Sequence, residues 1–289
     1  MPNAHQSEIG TILSLWRYPV KSMGGEKLPV AQVGSDGLVG DRSYALFDPS
    51  DGKVATAKNP RKWPTLFACH ANSVKLGASE TVSPVRITLP DGTTVTSEQR
   101  DLNQVLSQAL NREVQLLATE QGKVKGVQSS LPPKWKTRSE EYWPDIEGRD
   151  HRETVTEFAL PTGTFFDAAM VHLLTTTTLQ ALHDGYPQGR FDVQRFRPNL
   201  VIDPMSGTTG FAEQAWIGQT LAVGDEVRLR IIGPCGRCVM TTLPQGNLPK
   251  DPGILRTALQ RNQGNVGVYA TVIQGGTIGE GDHVRLIPS

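Results

Sequence analysis

The sequence predicts a β-dominated α+β protein of two barrel-like halves with a few short helices, and three observations carry that prediction. Its 289 residues include 29 glycines and 20 prolines, a density of turn formers that suits strands joined by tight corners better than long helices. The stretch Val85-Arg86-Ile87-Thr88-Leu89 alternates apolar and polar residues, the period of a half-buried strand. Two later segments, Leu221 to Leu229 and Ile278 to Leu286, share a Gly-Asp corner running into an alternating strand, as similar hairpins of a closed β structure would. The first half is assigned to residues 8–120 and the second to 151–289, with a connection or lid over 121–150.

Taken in order, Pro90-Asp91-Gly92 turns the chain and Thr93 to Thr96 pairs back on the first alternating strand as a hairpin. Asp101 is placed to cap a helix whose Leu102, Val105, Leu106, Ala109 and Leu110 share one face. Gln115 to Ala118 reads as a returning strand. Gln121 to Asp150 is polar and lacks an apolar period, and its Trp135, Tyr142 and Trp143 are expected to anchor it to the body. Order resumes over Phe165 to Leu174, and Thr175 to Thr178 offer hydroxyl caps to a helix through Leu179, Leu182 and His183. A strand is expected at Leu200-Val201-Ile202 and a short helix over Pro252 to Leu259, with proline in its first turn.

Charge narrows the function classes. Lys and Arg total 29 against 29 Asp and Glu, which argues against a broad footprint on nucleic acid or anionic membrane and leaves a local basic pocket for a small anion. Three cysteines are too few for a disulfide framework, the N-terminal residues lack the basic start and apolar run of a leader, and no stretch is apolar enough for a membrane span. The expected address is the cytoplasm, with thiols reduced.

The chemistry concentrates in Gly233-Pro234-Cys235-Gly236-Arg237-Cys238-Val239-Met240-Thr241-Thr242, where two cysteines flank an arginine directly after a strand-like run. A guanidinium beside a thiol favours its ionisation. Four readings are open: a structural zinc site, weakened because Cys69 is far upstream and alone; a dithiol redox pair, weakened because Pro244, Gly246 and Pro249 preclude a long following helix; a buried inert pair; and a single thiolate on a soft transition metal. The six histidines show no ligand spacing, and His172 and His283 read as ordinary strand residues.

Pro234 to Thr242, preceded by Arg195-Phe196-Arg197-Pro198-Asn199, Trp216-Ile217-Gly218 and Gly224-Asp225, resembles the MOSC domain, the C-terminal domain of molybdenum cofactor sulfurases. Tyr18-Pro19-Val20-Lys21-Ser22, Gly40-Asp41-Arg42 and Val54-Ala55-Thr56-Ala57-Lys58 resemble the N-terminal β-barrel domain that precedes MOSC in amidoxime-reducing proteins and their bacterial relatives. The resemblance implies a C-terminal MOSC β-barrel, a bound molybdenum cofactor (molybdenum on molybdopterin) and Cys238 as its protein thiolate. It assigns Lys21, Ser22, Arg42, Thr56, Lys58, Arg195, Arg197, Asn199, Arg237 and Thr241 to the cofactor's surroundings.

Arg195 and Arg197 are expected to alternate along a strand, with Arg197 facing the pocket. The implied activity is reduction of N-hydroxylated small molecules, with electrons from a separate ferredoxin-, flavoprotein- or cytochrome-type protein. The alternative is a carrier that holds sulfur as a Cys238 persulfide or hands the cofactor over. Leu243-Pro244-Gln245-Gly246-Asn247 stands where amidoxime-reducing relatives have an acidic Asp-Pro turn, so the rim beside the metal is expected to differ.

Overall fold

The computed structural model describes residues 7–74, 83–119, 137–147, 149 and 152–287. Seven strands close into a barrel in the order Leu200–Pro204, Val171–Thr175, Asn265–Gln274, Val227–Gly236, Thr220–Val223, His283–Ile287 and Ser7–Arg17, the last pairing back on the first. Neighbours run antiparallel except Val171–Thr175 beside Leu200–Pro204. That parallel step is crossed by the helix Thr176–Gly185 and the helical turn Val193–Phe196, as a parallel connection requires. Alternation builds the interior: Val227, Leu229 and Ile231 point inward to Ile12, Leu15, Leu200 and Val268, all buried.

The strand closing this barrel comes from the first residues of the chain, and Leu28, Ala31, Val33 and Leu38 pack on the same core. A second core gathers later residues of the first half, with Tyr44, Leu46, Trp63, Leu66, Ile87 and Val95 under one face of the helix Leu102–Leu110. The hairpin forms as expected, Val85–Thr88 pairing with Thr94–Thr96, and Gln115–Ala118 returns against Tyr44–Asp48. The two Gly-Asp corners lie side by side because Thr220–Val223 pairs with His283–Ile287. A side chain on Gly224 would meet the Asp282 carboxylate at 2.9 Å.

Caps agree in part. The Thr175 hydroxyl accepts from the Thr178 amide at 3.2 Å and the Asp251 carboxylate from Gly253 at 2.8 Å, where the helix Pro252–Asn262 begins. Asp101 makes no cap bond; its carboxylate accepts from the Gln99 side-chain amide instead.

The connection departs from its expected irregularity. Arg138–Trp143 is a strand paired with Thr154–Ala159, and its inward face is polar, which an apolar-period reading cannot detect. Ser139 and Glu140 are buried because the Val54 carbonyl takes the Ser139 hydroxyl at 3.1 Å, while Lys53 and Asn59 hold Glu140 at 2.7 and 2.9 Å. Tyr142 is the anchor expected of it, buried with its hydroxyl on Glu153 at 2.7 Å; Trp135 lies outside the described residues.

Leu200 is fully buried between the partners Leu15 and Leu173. Leu200→Ala is expected to cost about 2–5 kcal/mol of unfolding free energy, read as a lower denaturant midpoint.

Candidate functional site

A cavity opens where the front half meets the barrel. The front contributes Lys21, Ser22, Arg42 and Lys58; the chain entering Leu200–Pro204 contributes Arg197 and Asn199; the end of Val227–Gly236 contributes Arg237 and Cys238. Five cationic side chains line it against one carboxylate, Asp167. Ser22, Arg42 and Arg197 hold left-handed backbone at φ 65°, 46° and 54°. Such conformations are unfavourable for residues with a Cβ and gather at binding sites. These turns aim three side chains from separate loops at one space.

Buried counter-charges hold the cations together. Asp41 accepts from the Tyr18 amide at 2.7 Å and the Asn199 side chain at 3.0 Å, and pairs with Arg42. The Tyr18 ring carries two guanidiniums over it, Arg42 at 4.6 Å and Arg197 at 4.2 Å, cation–π contacts that offset part of the cost of holding both. Burial, with Arg42 alongside, brings the Arg197 guanidinium down to about 10. Asp167 pairs with Lys21 and with Lys58, the latter at 3.3 Å. Burial raises the Asp167 carboxyl, but the two ammonium groups outweigh it and hold it well below the usual range. Burial dominates at Lys21 and lowers its ammonium despite Asp167.

The two cysteines of the motif have different surroundings. Cys235 is fully buried, and its sulfur accepts from Arg237 Nη1 at 2.7 Å while Arg237 Nη2 donates to the Phe196 carbonyl at 2.9 Å. Burial raises the Cys235 thiol, but Arg237 and the neighbouring His172 outweigh burial and lower it. His172 fits there because its strand neighbour Gly267 lacks a side chain: a Cβ at Gly267 would lie 2.3 Å from His172 Nε2. Cys238 begins the turn Val239–Thr242 and packs on Phe67, Tyr142 and Met240. Burial raises its thiol against the pull of Lys58.

Cys238, Lys58, Gly236 and Arg237 also border a second, outer chamber, walled by Glu141, Trp143 and Arg149 and by Gln263 and Gly264 beyond the helix Pro252–Asn262. Cys238 thus stands between an inner cationic cavity and an outer chamber.

Three residues expected in the site do not line either space. Arg195 is fully buried in a helical turn, not on a strand, so the expected alternation with Arg197 is corrected. Its guanidinium binds the carbonyls of Arg190, Thr241, Leu243 and Pro249 at 2.8–3.3 Å and holds the loop after Cys238 in place. Thr56 accepts from the Lys58 amide at 3.1 Å, and Thr241 donates to the Cys238 carbonyl at 3.0 Å. Sequence reasoning missed Asp167, Glu141, Arg149 and Tyr269. A lone aspartate after Phe165-Phe166 carries no periodic signal, and Glu141 and Arg149 fall in the stretch read as irregular.

The MOSC N-terminal beta barrel domain matches residues 9–130 and the MOSC domain matches residues 161–285. The chain belongs to the MOSC-domain family. Mitochondrial amidoxime-reducing component 1 of Mus musculus is 25% identical over 241 residues, 82% of this chain and 66% of that protein. The human protein of the same name is 24% identical over 254 residues, 82% of this chain and 67% of its own length. The YUAD protein from Bacillus subtilis aligns over 98% of both chains at 9% identity with a TM-score of 0.46.

Among the described residues no three His, Cys, Asp or Glu side chains form a metal cage, and the Cys235 and Cys238 thiols are free. The residues present do fit the group that MOSC domains are associated with. Arg237 Nε and the Tyr18 hydroxyl are buried without partners among the described residues, five cations face one carboxylate, and Cys238 offers a soft donor at the wall.

Asp167→Asn removes the counter-charge of Lys21 and Lys58. The Asp167 side chain is 32% exposed, so the expected loss is about 1–3 kcal/mol, below the range for a fully buried pair. The folded carboxyl titrates below its unfolded value of about 4, so this stabilisation is present above that pH and disappears as pH falls through the depressed folded value. Denaturant unfolding should show the wild type and Asp167→Asn well separated near pH 7 and converging in strong acid.

Proposed function

We propose that this MOSC protein is a molybdenum-cofactor oxidoreductase that reduces N-hydroxylated compounds such as amidoximes, hydroxylamines and N-hydroxylated bases. The observation that carries the reading is the position of Cys238, a single soft donor at the wall between a cationic cavity and an open chamber. The amidoxime-reducing names of the relatives support the reaction class.

Lys21, Ser22, Arg42, Arg197 and Asn199 would hold the phosphate and pterin of the cofactor, since guanidinium forks and ammonium groups match a phosphate and the Asn199 amide suits a pterin edge. Cys238 would be the thiolate ligand to molybdenum. When bound, the cofactor supplies two-electron oxygen-atom removal. The protein's own residues do the rest. Phe67, Tyr142 and Met240 form one apolar cluster with Cys238 and would shield part of it from water. Arg195 fixes the Thr241 and Leu243 carbonyls and with them the turn that presents Cys238. Electrons come from a separate protein of ferredoxin, flavoprotein or cytochrome type. No helix among the described residues is long and apolar enough to cross a membrane. Three free buried cysteines suit a reducing compartment such as the cytoplasm.

The test is molybdenum and pterin content of the protein made in a host that synthesises the cofactor, with benzamidoxime reduction by a chemical electron donor. Wild type should carry stoichiometric molybdenum and pterin, Cys238→Ser should lose reduction at least about 100-fold, and Arg197→Gln should lose pterin. Cofactor retention without any reduction would replace this reading with a carrier. Absence of both molybdenum and pterin from folded wild type would overturn it.

A further inference from the structure

The outer chamber has its own electrostatic character, which the cofactor reading does not use. Its charged walls are Lys58, Arg149, Arg237 and Glu141. Lys58 is shared between Glu141 at 3.4 Å and Asp167 at 3.3 Å, and Arg237 is engaged by the Cys235 sulfur at 2.7 Å. Arg149 differs from both. It donates to the Arg237 carbonyl and lies 4.9 Å over the Trp143 ring, with no ion pair to a carboxylate among the described residues. Its Nε is buried and unpaired there. An unpaired buried donor leaves an unmet demand for an acceptor, and an uncompensated guanidinium beside a concave wall sets the local field. The Trp143 indole is held by its own hydrogen bond to Thr156 Oγ1 at 2.7 Å, and the Arg149–Trp143 stack lines the same chamber as Cys238.

We infer that this outer chamber is the substrate port, and that the Arg149 guanidinium held on Trp143 sorts substrate from product by charge. The inference rests on the reductase reading. Reduction of an amidoxime takes up two electrons from the donor protein and two protons, breaks the N–O bond and releases water, leaving an amidine. The N-hydroxyl group makes the starting compound weakly basic, so it is uncharged near neutral pH and presents an oxygen acceptor. The amidine is strongly basic and becomes a cation as it forms. A port with an uncompensated guanidinium accepts the first and repels the second. Arg149 is a specificity residue here: it lines only the outer chamber and touches none of the residues assigned to the phosphate and pterin except the backbone of Arg237.

Equilibrium binding of benzamidoxime and of benzamidinium to the molybdenum-loaded protein, by calorimetry near neutral pH, reads the sorting without requiring turnover. Wild type should bind the uncharged compound more tightly. In Arg149→Gln the preference should shrink, and in Arg149→Glu the benzamidinium affinity should rise about tenfold, with molybdenum content unchanged. In steady-state reduction the same variants should show benzamidinium becoming a stronger competitive inhibitor by a similar factor, while KM for benzamidoxime moves less. Equal affinities in wild type, or a preference that Arg149→Glu leaves intact at full molybdenum content, would overturn the port. Loaded protein that sorts the two compounds yet does not reduce benzamidoxime would keep the port and overturn the reductase.

Discussion

Pairing of the opening strand with the last two barrel partners is the constraint on which the rest of the molecule depends. Ser7–Arg17 fills the gap between Leu200–Pro204 and His283–Ile287, and without it the ring of strands has two open edges. The same strand runs directly into Tyr18 and Lys21. Its end is tied to the back half by the Trp16 amide on the Asn199 carbonyl at 2.9 Å and the Asn199 side chain on the Trp16 carbonyl at 3.3 Å. Barrel closure and the cavity therefore share one strand: its pairing places Lys21 and Ser22 on the same cavity wall as Arg197 and Asn199.

Bringing those residues together concentrates like charge in a dry place, and the fold answers with fixed partners rather than solvent. Asp41 joins the front turn to Asn199, Asp167 takes both lysines, Tyr18 stacks with two guanidiniums, and Arg197 donates to the Met23 carbonyl. Each partner neutralises part of the charge and none neutralises all of it. What is left is a preorganised field for an anion, held by groups that do not need to reorient when one binds. The cost is visible in the direction of the shifts at Lys21 and Arg197, where burial works against the charged form.

The fold was legible where structure has a local period and illegible where it depends on partners. The hairpin at Val85–Thr88 and the helix Leu102–Leu110 follow from alternation and a three-to-four spacing. The strand Arg138–Trp143 does not, since its buried Glu140 is intelligible only once Lys53 and Asn59 are seen beside it. The site divides in the same way. Lys21, Ser22, Arg42, Lys58, Arg197, Asn199, Arg237 and Cys238 reach the cavity wall from short motifs, while Arg195 carries the same residue type into a carbonyl cage one turn away. Distinguishing Arg195 from Arg197 needed the backbone: a left-handed φ at Arg197 ends the helical turn and swings its side chain to the cavity. Asp167 carried no motif at all, yet it holds both lysines.

The Cys-Gly-Arg-Cys spacing finally separates two thiols that sequence alone treats as a pair. Cys235 still belongs to the strand and points inward, where Arg237 folds back two residues to meet it. The strand register slips between Pro234 and Gly236, and after that slip the chain leaves the barrel, so Cys238 emerges at the turn on the other side of the wall. Gly236 keeps that wall thin. A Cβ there would meet Asn265 Oδ1 at 3.8 Å, an ordinary contact, and Gly236 borders both the inner and the outer cavity. The guanidinium expected to activate either cysteine is engaged by the first, and burial raises the Cys238 thiol. One strand end thus gives one cysteine a buried guanidinium partner and places the other on the border of two cavities.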